Sequence, residues 1–385
     1  MRNVVVILLI FLCSSFAESV TDKPYAPLNS RPLIGQQDCS GFNFGVFGDF
    51  RPLRRDRPYP SAYGQILDEM AAIRPSFVMS LGDAYYGYGG SFQRFKNEVD
   101  YFLSTIKPLS FPFFNIIGNH DVTDDKERDD YVRGRFGNSY GSFDFCGSHL
   151  IVLDSDEKGR EGTISGDQLL WLEKDLAAND KATNIFIFLH RPLFSKIDPE
   201  FLNGKSFKDR AGRDALHSLF VRHKVKAVFA AHEHLFSDAI NDGVRYIISG
   251  GGGAPLYSPP QDAGFFHYII VSVKDRDMRL EVTSPYAIQI RTLFNNYGIE
   301  PRAEIEVVNT SNTGIQMNGI PVRMPRTDLG AYRVRAISLS ARGETMEHDA
   351  RINSVIDNGD GTSTLGVGTF CPQNGLLRIT VEASL

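Results

Sequence analysis

Between residues 42 and 284, short apolar runs alternate with stretches in which apolar side chains recur every third or fourth position. That alternation is the pattern of strands interleaved with amphipathic helices. It predicts strands at residues 44–47, 76–79, 113–117, 150–153, 185–189, 227–230 and 246–248, and helices at 63–72, 92–104, 166–178 and 213–223. The third helix carries its own start signal: Ser165 with Gln168 forms a capping box, and Leu169, Leu172 and Leu176 then repeat at helical spacing. Strands alternating with helices fold into a layered α/β domain. Past Ser284 the helical period fades, and turn-separated β-type runs take over at 303–308, 331–339, 352–356, 364–367 and 377–381. Asn358, Gly359, Asp360 and Gly361 form a hairpin signal between two of them. This tail reads as a small all-β, immunoglobulin-like sandwich.

Length agrees with two domains, since 385 residues accommodate one of about 250 and a smaller one of about 90. The expected boundaries are 40–285 for the α/β domain and 295–385 for the β-sandwich. Residues 1–19 differ from both: Arg2 precedes an apolar run from Val4 to Leu12, followed by Ser14, Ser15, Phe16 and Ala17. That is the form of a signal peptide cleaved after about Ala17, which predicts a secreted or periplasmic protein with no stable membrane span after cleavage. A retained anchor is the competing reading. Composition is ordinary for a globular chain, with 42% hydrophobic and 23% charged residues. The net charge of −5 comes without a Lys/Arg run, so no nucleic-acid polymer is favoured, although a nucleotide substrate stays open. Cleavage would leave Cys39, Cys146 and Cys371, an odd number whose pairing the sequence does not reveal.

The candidate chemistry lies where the strands end. Gly48-Asp49, Gly82-Asp83, Gly118-Asn119-His120-Asp121, His190 and His232-Glu233-His234 each follow an apolar run, and open α/β sheets bind ligands at the C-terminal ends of their strands. Carboxylates, imidazoles and an amide oxygen make a mixed oxygen and nitrogen set suited to Zn, Mn or Fe. The supply suffices for two ions roughly 3.5 to 4 Å apart, bridged by one carboxylate. Glycines before Asp49, Asp83 and Asn119 would let the backbone turn sharply. His149, His217, His223 and His267 stand outside this pattern and read as packed or surface residues.

In that order, these motifs resemble the calcineurin-like metallophosphoesterases, over roughly residues 43–284. The resemblance implies that Asp83 bridges two metals, that Asp49 and His234 complete one site, and that Asn119, His190 and His232 complete the other. It also implies that His120 contacts phosphate and protonates the leaving group, with Asp121 orienting its ring and Asn119 contributing to substrate binding. The first motif departs from the family, because Asp49-Phe50-Arg51 stands where much of the family has Asp-x-His. Purple acid phosphatases also lack that His and use a Tyr, and Gly82-Asp83-Ala84-Tyr85-Tyr86 puts Tyr86 at the matching position. As a ligand, Tyr86 would suit Fe(III), and the implied cofactors are two divalent or mixed-valence ions, Fe with Zn, Mn or Fe. The other reading keeps Tyr85, Tyr86 and Tyr88 in the pocket wall, with water or nothing in place of the absent His. Arg51 reads either as a contact to substrate phosphate or as a structural cation.

The expected activity is hydrolysis of phosphate monoesters by attack of a metal-bound hydroxide. A phosphodiesterase or nucleotidase on the same fold is the first alternative, decided by the loops at 51–59, 85–92 and 194–209. A non-catalytic surface binding protein with a vestigial site is the second. Glu233 is expected to point away from its two His neighbours.

Overall fold

The computed structural model describes residues 24–384 except 34–38, 40, 123–124, 198–205, 208, 298–299, 312, 328–330 and 340–343. The expected signal peptide lies outside the described residues, as does part of the 194–209 loop. No helix among the described residues is long and apolar enough to cross a membrane.

The chain first builds β1 (Phe42–Phe47), α1 (Ser61–Ile73), β2 (Phe77–Ser80), α2 (Phe92–Ile106), β3 (Phe113–Asn115) and α3 (Lys126–Phe136). It continues through β4 (Gly141–Phe145), β5 (Ser148–Val152), α4 (Gly166–Ala178), β6 (Asn184–Phe188), α5 (Arg210–Arg222) and β7 (Ala227–Ala230). The α/β part closes with β8 (Phe236–Asn241), β9 (Val244–Ser249), β10 (Tyr268–Lys274) and β11 (Asp277–Thr283). These strands form two sheets, ordered β11-β10-β1-β2-β3 and β4-β5-β6-β7-β9-β8. Strands β1, β2 and β3 run parallel, as do β5, β6, β7 and β9, while the flanking strands are antiparallel.

The two sheets pack face to face through aromatic side chains. Phe44 of β1 stacks on Phe77 at 5.0 Å and meets Phe186, Phe188 and Phe229 of the other sheet edge-on at 5.8 to 6.0 Å. Such edge-to-face pairs suit the ring quadrupole. Apolar side chains of α1 and α2 (Met70, Ile73, Phe95, Phe102) cover the outer face of the first sheet, and those of α4 and α5 (Trp171, Leu172, Leu216, Phe220) cover the second. Both sheets are therefore buried on both faces, which explains why the strands read as continuous apolar runs.

Two features of the helices differ from the sequence reading. Ser165 occupies the N-cap of α4 without capping it through its side chain. Gln168 turns inward instead, accepting from Asp154 N at 2.8 Å and donating to Asp154 O at 3.0 Å, because the buried backbone leaving β5 needs both partners. Helix α3 was not expected, since Lys126–Phe136 is largely polar. Electrostatics holds it: Asp125 accepts from Glu127 N at its start, Glu127 and Asp129 lie in the first turn, and Arg133 and Arg135 in the last.

The all-β part begins with β12 (Ile288–Asn296), which spans most of the stretch between the two expected domains, and β13 (Arg302–Asn309). It continues with β14 (Ile315–Pro325), β15 (Tyr332–Leu339), β16 (Thr345–His348), β17 (Ala350–Asp357), β18 (Thr362–Cys371) and β19 (Gly375–Ala383). Its sheets are β12-β13-β19-β15-β16 and β14-β18-β17. Ala303, Ile305 and Val307 of β13 and Leu377, Ile379 and Val381 of β19 point inward at period two, against Val322, Leu365 and Val367. The expected hairpin at residues 358–361 joins β17 to β18, with Gly359 and Gly361 at φ 76° and 81°.

A bulge between Met317 and Ile320 of β14 keeps buried residues inward on both sides of it. Gly319 at this bulge lies against α1, where an added Cβ would stand 2.5 Å from Ala71 O. Sandwich and site-bearing body thus share one continuous core. Glu69 of α1 fastens the junction, accepting from Tyr268 Oη and from Tyr286 N, each at 2.7 Å, and burial pushes its carboxyl up.

Candidate metal centre

Asp49, Asp83, Asn119, His190 and His232-x-His234 all follow the C-terminal ends of parallel strands β1, β2, β3, β6 and β7, where the two sheets meet. The chain turns sharply there: Asp49 and Asp83 have φ 57° and His232 has φ 68°. Asp tolerates this left-handed conformation better than most residues, while His232 carries strain on the order of 1–3 kcal/mol. Neighbouring bonds hold it, since His232 N donates to Asp49 Oδ2 at 2.8 Å and Asp49 N to Gly82 O at 3.1 Å. Of the three site glycines only Gly82, at φ 93°, uses its freedom to turn. Gly118 is needed for closeness, because a Cβ there would stand 2.5 Å from Asp83 Oδ1.

Three imidazoles have their orientation fixed by the same device. His190 Nδ1 donates to Leu81 O at 2.8 Å, His234 Nδ1 to Pro255 O at 2.5 Å, and His120 Nδ1 to Tyr86 O at 2.6 Å. Each leaves Nε2 with its lone pair toward the centre. His190 Nε2 lies 3.1 Å from Asn119 Oδ1, 3.1 Å from His232 Nδ1 and 3.4 Å from Asp83 Oδ1. Donors bound to one ion at ~2.1 Å stand about 3.4 Å apart in a tetrahedron, and Asn119, His232 and Asp83 each stand at about that separation from His190 Nε2.

A second group lies alongside. His234 Nε2 is 3.4 Å from Asp49 Oδ1, and ligand atoms of Asp49, Asp83 and His234 all lie within 4.8 Å of one another. Asp49 Oδ1 is buried without a hydrogen-bond partner, an acceptor that a cation would satisfy. Asp83 belongs to both groups. Burial would raise its carboxyl, but His190, His120 and Arg51 outweigh that and hold it below the usual range. Burial likewise works to lower His190, yet the charges of Asp83, Asp49 and Asp156 raise it.

His120 sits at the mouth, with Nε2 3.8 Å from Asp83 Oδ2 and its ring 4.2 Å from that of Tyr88. Burial, helped by Arg51, lowers its pKa. Asp121 does not orient this ring. Its carboxylate accepts from Gly118 N, Asp83 N and Ala84 N at 2.9, 3.0 and 3.2 Å, because the buried loop amides after β2 and β3 claim it, and Tyr86 O takes the imidazole instead. Arg51 reaches in with Nε 3.7 Å from Asp83 Oδ2. The Tyr86 ring stands 6.0 Å from His120, with the Arg55 guanidinium 5.9 Å from its centroid, and no contact among the described residues ties its phenol to Asp49 or Asp83. Glu233 does point away from the centre, but it is fully buried and pins the next loop by accepting from Lys196 N and Ile197 N at 2.8 and 3.3 Å.

Several contributors carry no role in the sequence pattern, Tyr88 alone being expected there, as pocket wall. Arg191 bonds Asp156 Oδ1 at 2.7 Å and lies 3.2 Å from His232 Nε2. Tyr88 Oη accepts from Asn119 Nδ2 at 2.7 Å, and Tyr257 stacks on His234 at 4.1 Å. Asp156 follows β5 as the ligands follow their own strands, which is a legible signal; the two tyrosines lie in loops without pattern. Asn119, Tyr88, Arg128, Asp156 and Arg191 border a cavity of about 530 Å³ beside the centre.

Comparisons with known proteins agree with this geometry. Residues 42–236 match a family described as calcineurin-like phosphoesterase. A serine/threonine-protein phosphatase, CPPED1, of Danio rerio is 28% identical over 194 residues, covering 48% of this chain and 62% of that protein. A probable glycerophosphodiester phosphodiesterase, GpdQ, of Arcobacter nitrofigilis is 33% identical over 150 residues, covering 37% of this chain and 53% of that one. The chain spans less than two thirds of the length of either. Among solved structures, purple acid phosphatase PPD1 from yellow lupin seeds is similar in fold, with a TM-score of 0.50 at 18% identity, covering 66% of this chain and 52% of that one.

Proposed function

The chain belongs to the calcineurin-like phosphoesterases, and from that premise we propose that it is an exported, binuclear metal-dependent phosphatase acting on phosphate monoesters. One observation carries the reading: Asp83 stands between two sets of donors, Asn119, His190 and His232 on one side and Asp49 and His234 on the other. Two bound cations supply Lewis acidity there, making water a stronger nucleophile and offsetting phosphate charge.

The chain's own groups do the rest. Asn119 and His120 line the face where the ester binds, and Arg51 offers a guanidinium for phosphate oxygens. His120, held through Nδ1 by Tyr86 O, presents Nε2 to the departing oxygen; it takes a proton from solvent at Nε2, and that imidazolium, made more acidic by burial, passes the proton to the leaving oxygen and returns to the neutral ring. The neighbouring cavity takes the leaving group. Tyr86 is retained as a proposed ligand, tested by whether a visible charge-transfer band in iron-loaded protein disappears in Tyr86→Phe. Export rests on residues 1–19 and is tested by the N-terminus of the mature protein.

The experiment compares p-nitrophenyl phosphate with bis(p-nitrophenyl) phosphate, before and after chelation and with Mn²⁺ or Zn²⁺ restored. Monoester hydrolysis that follows the metal is the expected result. Preference for the diester would replace this reading by the phosphodiesterase one, which the GpdQ relative favours. Absence of both metal and hydrolysis would leave only a non-catalytic binding role.

A further inference from the structure

The two halves of the centre are unequally furnished. On one side the donor atoms of Asn119, His190, His232 and Asp83 come within 3.1 to 3.4 Å of His190 Nε2, or are that atom. On the other the chain brings together Asp49, His234 and a share of Asp83, while the Tyr86 ring stands beside His120 and the Arg55 guanidinium. Two residues beyond Asp49 stands Arg51, beside Asp83 Oδ2 and not the Oδ1 that faces His190. Its Nε is buried without a hydrogen-bond partner, 3.7 Å from Asp83 Oδ2. A guanidinium has no lone pair to offer and does not lose its proton in proteins. It therefore cannot ligate a cation, and its charge acts against one brought near Asp83.

We infer that Arg51 makes the centre asymmetric, so that Asn119, His190, His232 and Asp83 hold one ion tightly while Asp49 and His234 hold the other weakly. The inference rests on the metal-dependent reading above and adds an order of filling to it. Arg51 gives that side a fixed positive charge, available to an anionic ester even at metal concentrations that fill only the tight side. The weak side then exchanges its ion freely with solvent, whereas the tight side retains its ion through purification.

Calorimetric titration of chelator-treated full-length protein with Mn²⁺ tests this without reference to turnover. Two classes of binding are expected, their affinities separated by at least on the order of 10-fold, the scale on which even supporting contacts change metal affinity. Arg51→His, which exchanges the repelling charge for a lone pair, is expected to tighten the weaker class by about 10-fold or more and leave the tighter one in place. His234→Ala is expected to remove the weaker class alone. Two ions bound with one affinity, a weaker class unmoved in Arg51→His, or loss of the tighter class in His234→Ala would each overturn the inference while the phosphatase reading stands. Wild-type protein that binds no ion would overturn both, and the wild-type titration decides even where a variant fails to fold.

Discussion

Strands β1 and β2 are buried on both faces, whereas β13 and β19 turn alternate side chains inward, and the two pairs differ again at their ends. The first pair runs directly into Asp49 and Asp83, buried carboxylates with left-handed φ. The second pair keeps Ala303, Ile305, Val307, Leu377, Ile379 and Val381 in a dry core, and the glycine-rich turn of its sandwich, at 358–361, is exposed. One region concentrates desolvated charge and backbone strain, both destabilising. The other contributes packing without such costs, and passes it to α1 through Gly319 and Glu69. Stability and chemistry are thus drawn from different places in one continuous core.

That division can be broken from either side. The largest effect belongs to Asp83→Asn, which keeps the left-handed turn accessible but withdraws the charge shared by both donor sets. Elemental analysis should find both ions lost, and phosphatase activity should fall to background while the melting temperature holds. His120→Ala should lower kcat by roughly 10²-fold to 10⁴-fold with metal content unchanged, and an unaltered rate on a substrate with a poor leaving group would remove His120 from the reaction. Ile379→Ala approaches from the other region: denaturant unfolding should show a loss of about 2–5 kcal/mol, with kcat per folded molecule unchanged.

The smallest effect tests whether every buried polar group of the α/β body is a cost. His149 bonds Asp144 at 2.6 Å and Asp175 at 2.8 Å. Burial lowers its pKa, but these two carboxylates outweigh burial and raise it. Its contribution is therefore fully present below the unfolded value near ~6.5 and is lost as pH rises through the higher folded value. Wild-type protein should melt lower at pH 8.5 than at pH 6, and His149→Gln should flatten that difference.

The site was legible because its residues terminate buried parallel strands, whose uninterrupted apolar runs stand out. Asp49, Asp83, Asn119, His190, His232 and His234 stand out in this way, and the strand ends bring them together. The contacts among them were not legible. That Asp121 serves backbone amides and that Tyr86 lends its carbonyl to His120 depend on loop geometry no spacing encodes. Elements were missed for different reasons. Helix α3 forms by capping and charge with almost no apolar stripe, and β8 is an edge strand whose side chains largely face solvent. Strand β10, beyond the last predicted strand of the α/β part at 246–248, is an apolar run whose place beside β1 no local pattern reveals.

That pairing sets a timetable for synthesis. Strand β1 lies at the middle of its sheet, yet its neighbour on one side is β10, register Phe42 to Val273. A ribosome adding 5–20 residues per second takes roughly 10 to 45 s to travel from one strand to the other. Throughout that interval the nascent sheet presents an open edge beside Phe44 and Val46, the kind of edge that recruits strands from other chains. A chain released before residue 268 lacks the strand that covers that edge, so incomplete translation products are expected to aggregate more readily than the full chain.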